Sequence, residues 1–370
     1  MTPRKILRLT RRLPPCPGGQ EIHVFELTRR QVEAGYKVDL WYSQGDDVPS
    51  GAVGHRVPAS HLRIPSTTFA AASYARRAGA DMRNETADLV HVHGDLAEAW
   101  FGHRAARALG SPLVMTVHAG LNPRYARPTR IVFRHVDHFF ALGSRVAGDL
   151  RGCGVDDDRI TVISSGLDYK LLAPYLSRGL PTRPRLASVG ALDSMKNHET
   201  VLAAAAIVRK SYPDLEVFIV GEGRERARLE AMTIGNANVH FTGRLTRPEV
   251  YDLVSQASAF VLASRRLAAK AEGVPTALLE AMALARPCIV SSACTPDAIA
   301  APESGAYVTA DPQSPESFAE AICASLGDTA VARAMGKRAA AAVAGLGWDD
   351  IVERVDAVYD SLLDEHADRP

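Results

Sequence analysis

The chain reads as an α/β protein built from two consecutive open parallel sheets. Three observations predict this. Short apolar runs of the buried-strand type recur along the 370 residues, and most are followed by a helical pattern. Several of these runs close on glycine, as in Asp88–Gly94, Arg185–Gly190 and Leu215–Gly221. The alternation halts at Ser177-Arg178-Gly179-Leu180-Pro181-Thr182-Arg183-Pro184, the best linker in the sequence, and then restarts. The expected domains are therefore 1–178 and 179–346. A closing acidic helix, 347–370, has no strand after it and is expected to pack back on the first domain.

Composition agrees with a folded globular chain: 46% of residues are hydrophobic and 23% charged. A net charge of +1 argues against a nucleic-acid binder, which is normally basic overall. The halves differ in sign. Residues 1–180 carry 24 Lys and Arg against 17 Asp and Glu; residues 181–370 carry 19 against 25. A basic first half suits an anionic substrate or a membrane surface, and it equally suits complementary domain faces. The five cysteines are scattered and form no ligand spacing, which reads as reduced thiols. The start, Met1–Thr10, lacks the apolar core of a signal peptide, and no run approaches the about 20 apolar residues of a membrane span. The expected location is cytoplasmic, at the inner face of the cell membrane if the acceptor is lipid-linked.

In order, Lys5–Leu9 is the first strand. A loop ending in Pro17-Gly18-Gly19 follows, then a helix from about Gln20 to Ala34 and the strand Lys37–Tyr42. Gly18 and Gly19 lack side chains, so backbone amides there can approach a phosphate or a sugar; a plain turn has the same residues. His91 and His93 share one face of the strand Asp88–Gly94, without a third metal ligand nearby. The strand Pro112–Gly120 carries His118 at its C-terminal end, where open α/β sheets place their ligand crevice. Asp137–Leu142 is a further strand, with Ser144 expected to cap the next helix, and Arg159–Ile163 is the last strand of this half.

The second half restarts with Arg185–Gly190. Lys196 lies in the loop after it, ahead of the helix Glu199–Lys210. Gly221-Glu222-Gly223 begins like a dinucleotide fingerprint, but Arg226 occupies the place of the third glycine. Val239–Gly243, Ala259–Leu262 and Cys288–Ser291 are further strands. Between the last two lies Glu272-Gly273-Val274-Pro275-Thr276-Ala277-Leu278-Leu279-Glu280. Proline suits a first helical turn, so a helix is expected from about Pro275. Its first amides, those of Thr276, Ala277 and Leu278, would then face an anion. Glu272 and Glu280 flank that seat as acceptors for hydroxyl groups.

Taken together, these motifs resemble the GT-B glycosyltransferases, and more narrowly the retaining glycosyltransferase family 4. The likeness rests on Pro17-Gly18-Gly19, His23, Leu27, His118, Ser144, Gly190 with Lys196-Asn197, Gly221-Glu222-Gly223, Phe241-Thr242-Gly243, the pair Glu272 and Glu280 with seven residues between them, Gly305 and Asp311. The resemblance implies two Rossmann-like domains with sheets facing across a cleft. It also implies a sugar-nucleotide donor, most simply a UDP-sugar carrying a hexose or N-acetylhexosamine. Glu280 would then take the ribose hydroxyls and Glu272 the sugar hydroxyls. Lys196, with Gly190 and the amides of Thr276, Ala277 and Leu278, would hold the diphosphate. Residues near Phe241–Arg244 would line the base, and His118 would bond a sugar hydroxyl beside the anomeric carbon. No cofactor or metal is implied. The acceptor is unspecified: an anionic or lipid-linked acceptor met at a membrane would suit the Arg-rich segments Arg76–Arg83 and Arg124–Arg134, which also read as solvated helix faces.

The sequence departs from the family pattern in several places. Ala191 stands where an arginine is usual, and Arg265, Arg266 and Lys270 are the cations nearest in sequence to Glu272 that would replace it. Ser165, Ala285 and Ala293-Cys294 stand where Asn, Gly and a Gly pair are usual. These departures keep a second reading open, a catalytically weak homologue that binds sugar nucleotide as a partner subunit. A nicotinamide-dependent oxidoreductase lacks support, because no glycine fingerprint is intact.

Overall fold

The computed structural model describes residues 4–16, 18–58, 67–267, 272–294 and 296–367. The chain divides into two units, Met1–Gly166 with Trp348–Pro370, and Leu167–Gly347.

The first unit starts with β1 (Lys5–Thr10), α1 (Gly19–Glu33), β2 (Lys37–Tyr42) and β3 (Val53–Arg56). It continues with α2 (Thr67–Met82), β4 (Leu89–His93), α3 (Leu96–Leu109), β5 (Leu113–Val117), α4 (Ala126–Phe133), β6 (His138–Leu142), α5 (Ser144–Gly152) and β7 (Ile160–Ile163). The strands pair in the order β3-β2-β1-β4-β5-β6-β7, all parallel. β4 and β5 are buried at every position, as parallel strands covered on both faces must be. Leu7, Leu9, Val90, Val92 and Met115 from the sheet pack with Tyr74, Ala78 and Ala105 of the helices. An Asp95–Glu98 capping box starts α3, and Gly110 at φ 66° ends it. Ser144 does not cap α5: Gly143 at φ 102° holds the cap position, and Ser144 is the first helical residue.

The second unit comprises α6 (Tyr169–Leu172), β8 (Arg185–Val189), α7 (His198–Val208), β9 (Glu216–Val220), α8 (Arg226–Ala231), β10 (Val239–Gly243), α9 (Arg247–Ser255) and β11 (Ala259–Leu262). After these come α10 (Thr276–Ala283), β12 (Cys288–Ser291), β13 (Val308–Ala310), α11 (Pro315–Gly327) and α12 (Thr329–Val343). Its sheet is again parallel, in the order β10-β9-β8-β11-β12-β13. The segment before β8 belongs to this unit. Leu167 and Leu172 are buried in its core. The buried Arg286 guanidinium donates to the carbonyls of Arg178 and Gly179, which fastens the start of the proline-rich linker.

The chain then returns to the first unit as α13 (Trp348–Ala367), whose Trp348 and Tyr359 are buried there. Arg8, fully buried on β1, donates to Thr28, Gln31 and the Tyr359 hydroxyl. Gln31 in turn donates to Asp356, so polar side chains as well as Trp348 hold α13 to α1. Among the described residues, no helix is long and apolar enough to cross a membrane. All five cysteines are free thiols.

The end of α10 carries a testable strain. Arg286 N–H donates to Ala281 and Ala285 N–H to Met282, the pattern of a helix closed by a left-handed residue. That residue is Ala285, at φ 54°, where a Cβ is unfavourable. Ala285→Gly is expected to stabilise the second unit by about 1 kcal/mol, raising its melting temperature by about 2–4 °C. A calorimetric melt showing no rise would mean that the methyl contributes more by packing than it costs in strain.

Candidate active site

Both sheets reverse strand order once, between β1 and β4 in the first unit and between β8 and β11 in the second. In open α/β sheets the ligand crevice opens at such a reversal, beyond the C-terminal ends of the strands. Each unit brings its candidate residues to that place.

In the first unit, β1 leads into Gly18 and α1. Gly18 is the cap residue of α1 at φ 152°, and a Cβ there would lie 2.1 Å from the Glu21 carboxylate. Glu21 is buried and paired with Arg12 at 2.6 Å. Gly19 opens the helix, while Pro17 lies outside the described residues. Beside this turn stand four histidines. His118, just past β5, shares a hydrogen bond between its Nε2 and Nδ1 of His93 at 3.1 Å. His23 of α1 sits edge-on to His118, with ring centres 5.0 Å apart, and bonds Ser165 at 3.2 Å. His91 bonds Tyr359 and Thr116 at 2.5 and 2.7 Å. Burial lowers the pKa of each imidazole, helped for His23 by the charge of Arg8 and for His118 by His23; His23 falls to about 3. At neutral pH, His118 is therefore a neutral hydrogen-bonding group and not a cation. Ser165, which stands where the family pattern has Asn, is the residue bonded to His23.

In the second unit, Gly190 follows the end of β8, and the Asp193 carboxylate accepts the N–H groups of Met195 and Lys196 at 3.0 Å, folding the loop into an Asx turn. A Cβ on Gly190 would lie 3.0 Å from the Lys196 stem, so the glycine gives that side chain its path. Gly221, at φ 137°, abuts the Gly190 carbonyl and admits no Cβ either. Lys196 bonds Oε1 of Glu272, and the Cys294 thiol lies 3.6 Å from the other oxygen. Both charged side chains are largely enclosed, 14% and 11% exposed. Burial alone would lower the Lys196 pKa, but the attraction of Glu272 outweighs it and the value is raised. The Lys196 ammonium is thus held in its charged form beside the loop.

Glu280, on α10, is buried. Its Oε1 accepts from the Tyr251 hydroxyl at 2.9 Å and from Arg247 at 3.2 Å, both on α9. Burial raises the Glu280 pKa, and Arg247 and Tyr251 offset part of that rise. Pro275 is the cap residue of α10 and supplies no side-chain bond. One expectation fails here: the Leu278 N–H donates to the Pro275 carbonyl at 3.0 Å, and Leu278 is fully buried. The first turn tightens, so Leu278 cannot offer its amide to a ligand. Thr276 and Ala277, both half-exposed, retain outward N–H groups.

Arg244 is exposed in the loop after β10. Arg265 lies against the Lys196 loop: its backbone N–H donates to Met195 and its Nε to Ser194, each at 2.8 Å. Arg224 reaches the Ser194 hydroxyl at 3.3 Å. Ala191, on the same loop, is exposed, as is Arg266, whereas Lys270 lies outside the described residues. Sequence reasoning missed Arg247, Tyr251, Arg224 and the tie between His93 and His118. Arg247 and Tyr251 are four apart on one helix, but nothing local points them at Glu280. Among the described residues, no group of three or more His, Cys, Asp or Glu is arranged to hold a metal ion.

Comparison with known proteins agrees with this geometry. Residues 17–171 match the family Glycosyltransferase Family 4, and residues 178–342 match Glycosyl transferases group 1. The chain is 27% identical to D-inositol 3-phosphate glycosyltransferase 1 of Catenulispora acidiphila, over 95% of this chain and 93% of that protein. Its fold is similar to that of sucrose-phosphate synthase from Thermosynechococcus elongatus, with a TM-score of 0.83, 20% identity, and 98% and 100% of the two chains covered. It is also similar to that of Anabaena HepE in complex with UDP-glucose, with a TM-score of 0.76, 15% identity, and 97% and 100% covered. One glycosyltransferase family matches each half, and each half holds its own parallel sheet: the chain is a glycosyltransferase of GT-B fold and belongs to the family 4 type.

Proposed function

We propose that this glycosyltransferase moves a hexose or N-acetylhexosamine from a UDP-sugar, with retention of configuration, to a hydroxyl of a phosphate-bearing acceptor of the inositol phosphate class. The observation that carries the donor half of this reading is the enclosed Lys196–Glu272 pair beside the Gly190 loop at the strand reversal. The Lys196 ammonium and the amides of Thr276 and Ala277 bind the diphosphate, and Arg265, anchored on the same loop, supplies the second cation that Ala191 lacks. Glu280, oriented by Arg247 and Tyr251, takes the ribose hydroxyls, and Glu272 takes hydroxyls of the sugar. Gly18 and Gly19 give backbone access in the first unit, and Arg244 lies near the base. Fixed donors of this kind stabilise the charge growing on the leaving diphosphate without a metal. That diphosphate then accepts the proton of the attacking hydroxyl.

The acceptor class is supported by the 27% identical D-inositol 3-phosphate glycosyltransferase and by the basic first half. Neutral His118 donates or accepts a hydrogen bond at the reacting sugar. The test is a transfer assay with UDP-glucose, UDP-galactose and UDP-N-acetylglucosamine, each with and without inositol 3-phosphate. UDP release that depends on the acceptor, with an α-linked product by NMR, is expected. His118→Ala is expected to lower kcat by about 10²-fold or more while donor KM changes less. A β-linked product would refute retention, and a fully active His118→Ala enzyme would make the residue structural. No turnover with any donor would favour the partner-subunit reading.

A further inference from the structure

We propose that the first unit carries a second anion site, on its outer helical layer, that takes a phosphate-bearing ligand. A cavity of about 330 Å³ opens where α2 and α3 cross, lined by Arg76, Arg77, Arg83 and Arg104 together with Gly79 and Phe101. The crossing is close because of Gly79: a Cβ there would lie 2.7 Å from the Phe101 carbonyl oxygen. Gly79 thus sets the depth of the cavity, and arginines stand three residues before it and four after it.

Four guanidinium groups share this concavity, and no carboxylate lines it. All four are exposed, and none makes an ion pair or hydrogen bond among the described residues. Within the same unit Arg29 pairs with Glu33 and the exposed Arg151 with Asp157, so a local acid, where one is placed, does engage an arginine. Uncompensated like charges gathered in one hollow repel one another, and a multiply charged anion relieves that repulsion. The planar fork of arginine matches the oxygens of phosphate two at a time.

The position separates this cavity from the crevice beside His118. α2 ends at Met82, and Arg83 follows it on the way to the N-terminal end of β4, whereas His118 stands past the C-terminal end of β5. The ligand chemistry is a phosphate group carrying at least two charges or several such groups side by side. It has two sources, a free phosphorylated solute or the headgroups of an anionic lipid surface.

The experiment uses the full chain with saturating UDP, so that a diphosphate seat in the second unit is filled. Inorganic pyrophosphate is titrated by calorimetry. In parallel, co-sedimentation is measured with vesicles of phosphatidylcholine alone and of phosphatidylcholine with phosphatidylglycerol. Each is repeated with the triple variant R76Q/R83Q/R104Q, whose exposed positions leave the fold intact, as its tryptophan fluorescence would confirm. Binding that weakens by about tenfold or more in the variant is expected, since each lost guanidinium removes a charge-assisted contact. Loss confined to pyrophosphate identifies a free solute, and loss confined to the anionic vesicles identifies a lipid headgroup. The inference is overturned if wild type binds neither, or if the variant binds both as wild type does. UDP binding by the second unit stays unchanged in the variant, which distinguishes failure here from failure of the donor assignment.

Discussion

Lys196→Met is expected to lower kcat/KM for the donor by about 10²- to 10³-fold, the usual loss when one preorganised stabiliser of a developing negative charge is removed. The substitution keeps the stem that passes Gly190 and removes only the ammonium. It also leaves the Glu272 carboxylate, 11% exposed, without its cation. Breaking an enclosed pair from one side costs about 3–5 kcal/mol, so the second unit should also melt earlier. The double variant Lys196→Met/Glu272→Gln separates the two effects, because neutralising both members removes the stranded charge. Its melting temperature should recover most of the loss while its activity stays low. Recovery of activity along with stability would show that the pair is only structural. Arg265→Ala, which removes the proposed second cation and leaves the pair intact, is expected to cost less than Lys196→Met.

The first unit is expected to unfold in acid well before the second. His23, His91 and His93 are fully buried, His118 is bonded to His93, and all four pKa values are lowered, burial being the largest cause. In the unfolded chain each returns to about 6.5. The native state therefore binds fewer protons than the unfolded state once the pH drops below that value. Stability is complete above pH 6.5 and is lost as pH falls toward the native values, about 3 for His23. Four such groups, opposed by the buried Glu98 whose pKa is raised to about 8 so that the native state keeps its proton, give a net slope approaching about 4 kcal/mol per pH unit, enough to exhaust a typical domain's stability within a few units. The second unit has one comparable group, His198, lowered to about 4 mainly by burial. Trp41, Trp100 and Trp348 all belong to the first unit, so tryptophan fluorescence reports on it alone. The transition should take up about three protons net, about four on the histidines less about one that Glu98 releases, and His93→Gln should reduce that number by about one. A transition below pH 4 with the same slope in wild type and His93→Gln would contradict the account.

Local pattern carried much of the fold. The central strands are apolar runs because both faces of a parallel sheet are covered, and a run such as Leu89–His93 says so without reference to the rest of the chain. The edge strands β3 and β13 were not legible for the converse reason. Val53–Arg56 and Val308–Ala310 are largely exposed and carry no apolar period. In the site, Gly190, Lys196, Glu272 and Glu280 stand out because loop chemistry and a helix start mark their places. Their partners do not. Arg247 lies 33 residues before Glu280, and His93 lies 25 before His118, so only the parallel crossovers bring them together. The Leu278 amide was misjudged because the hydrogen bond that occupies it depends on how tightly the first turn winds, which residue types alone do not set.

The central claim is that the second unit binds the nucleotide of the donor through the buried carboxylate of Glu280. Calorimetric titration of UDP into wild type and Glu280→Ala tests it most directly. One bond from a carboxylate to a ribose hydroxyl is worth about 1.5–3 kcal/mol, so the variant should bind UDP about 10- to 100-fold more weakly at an unchanged stoichiometry of one. An equal Kd for the two proteins, with the variant folded, would contradict the assignment.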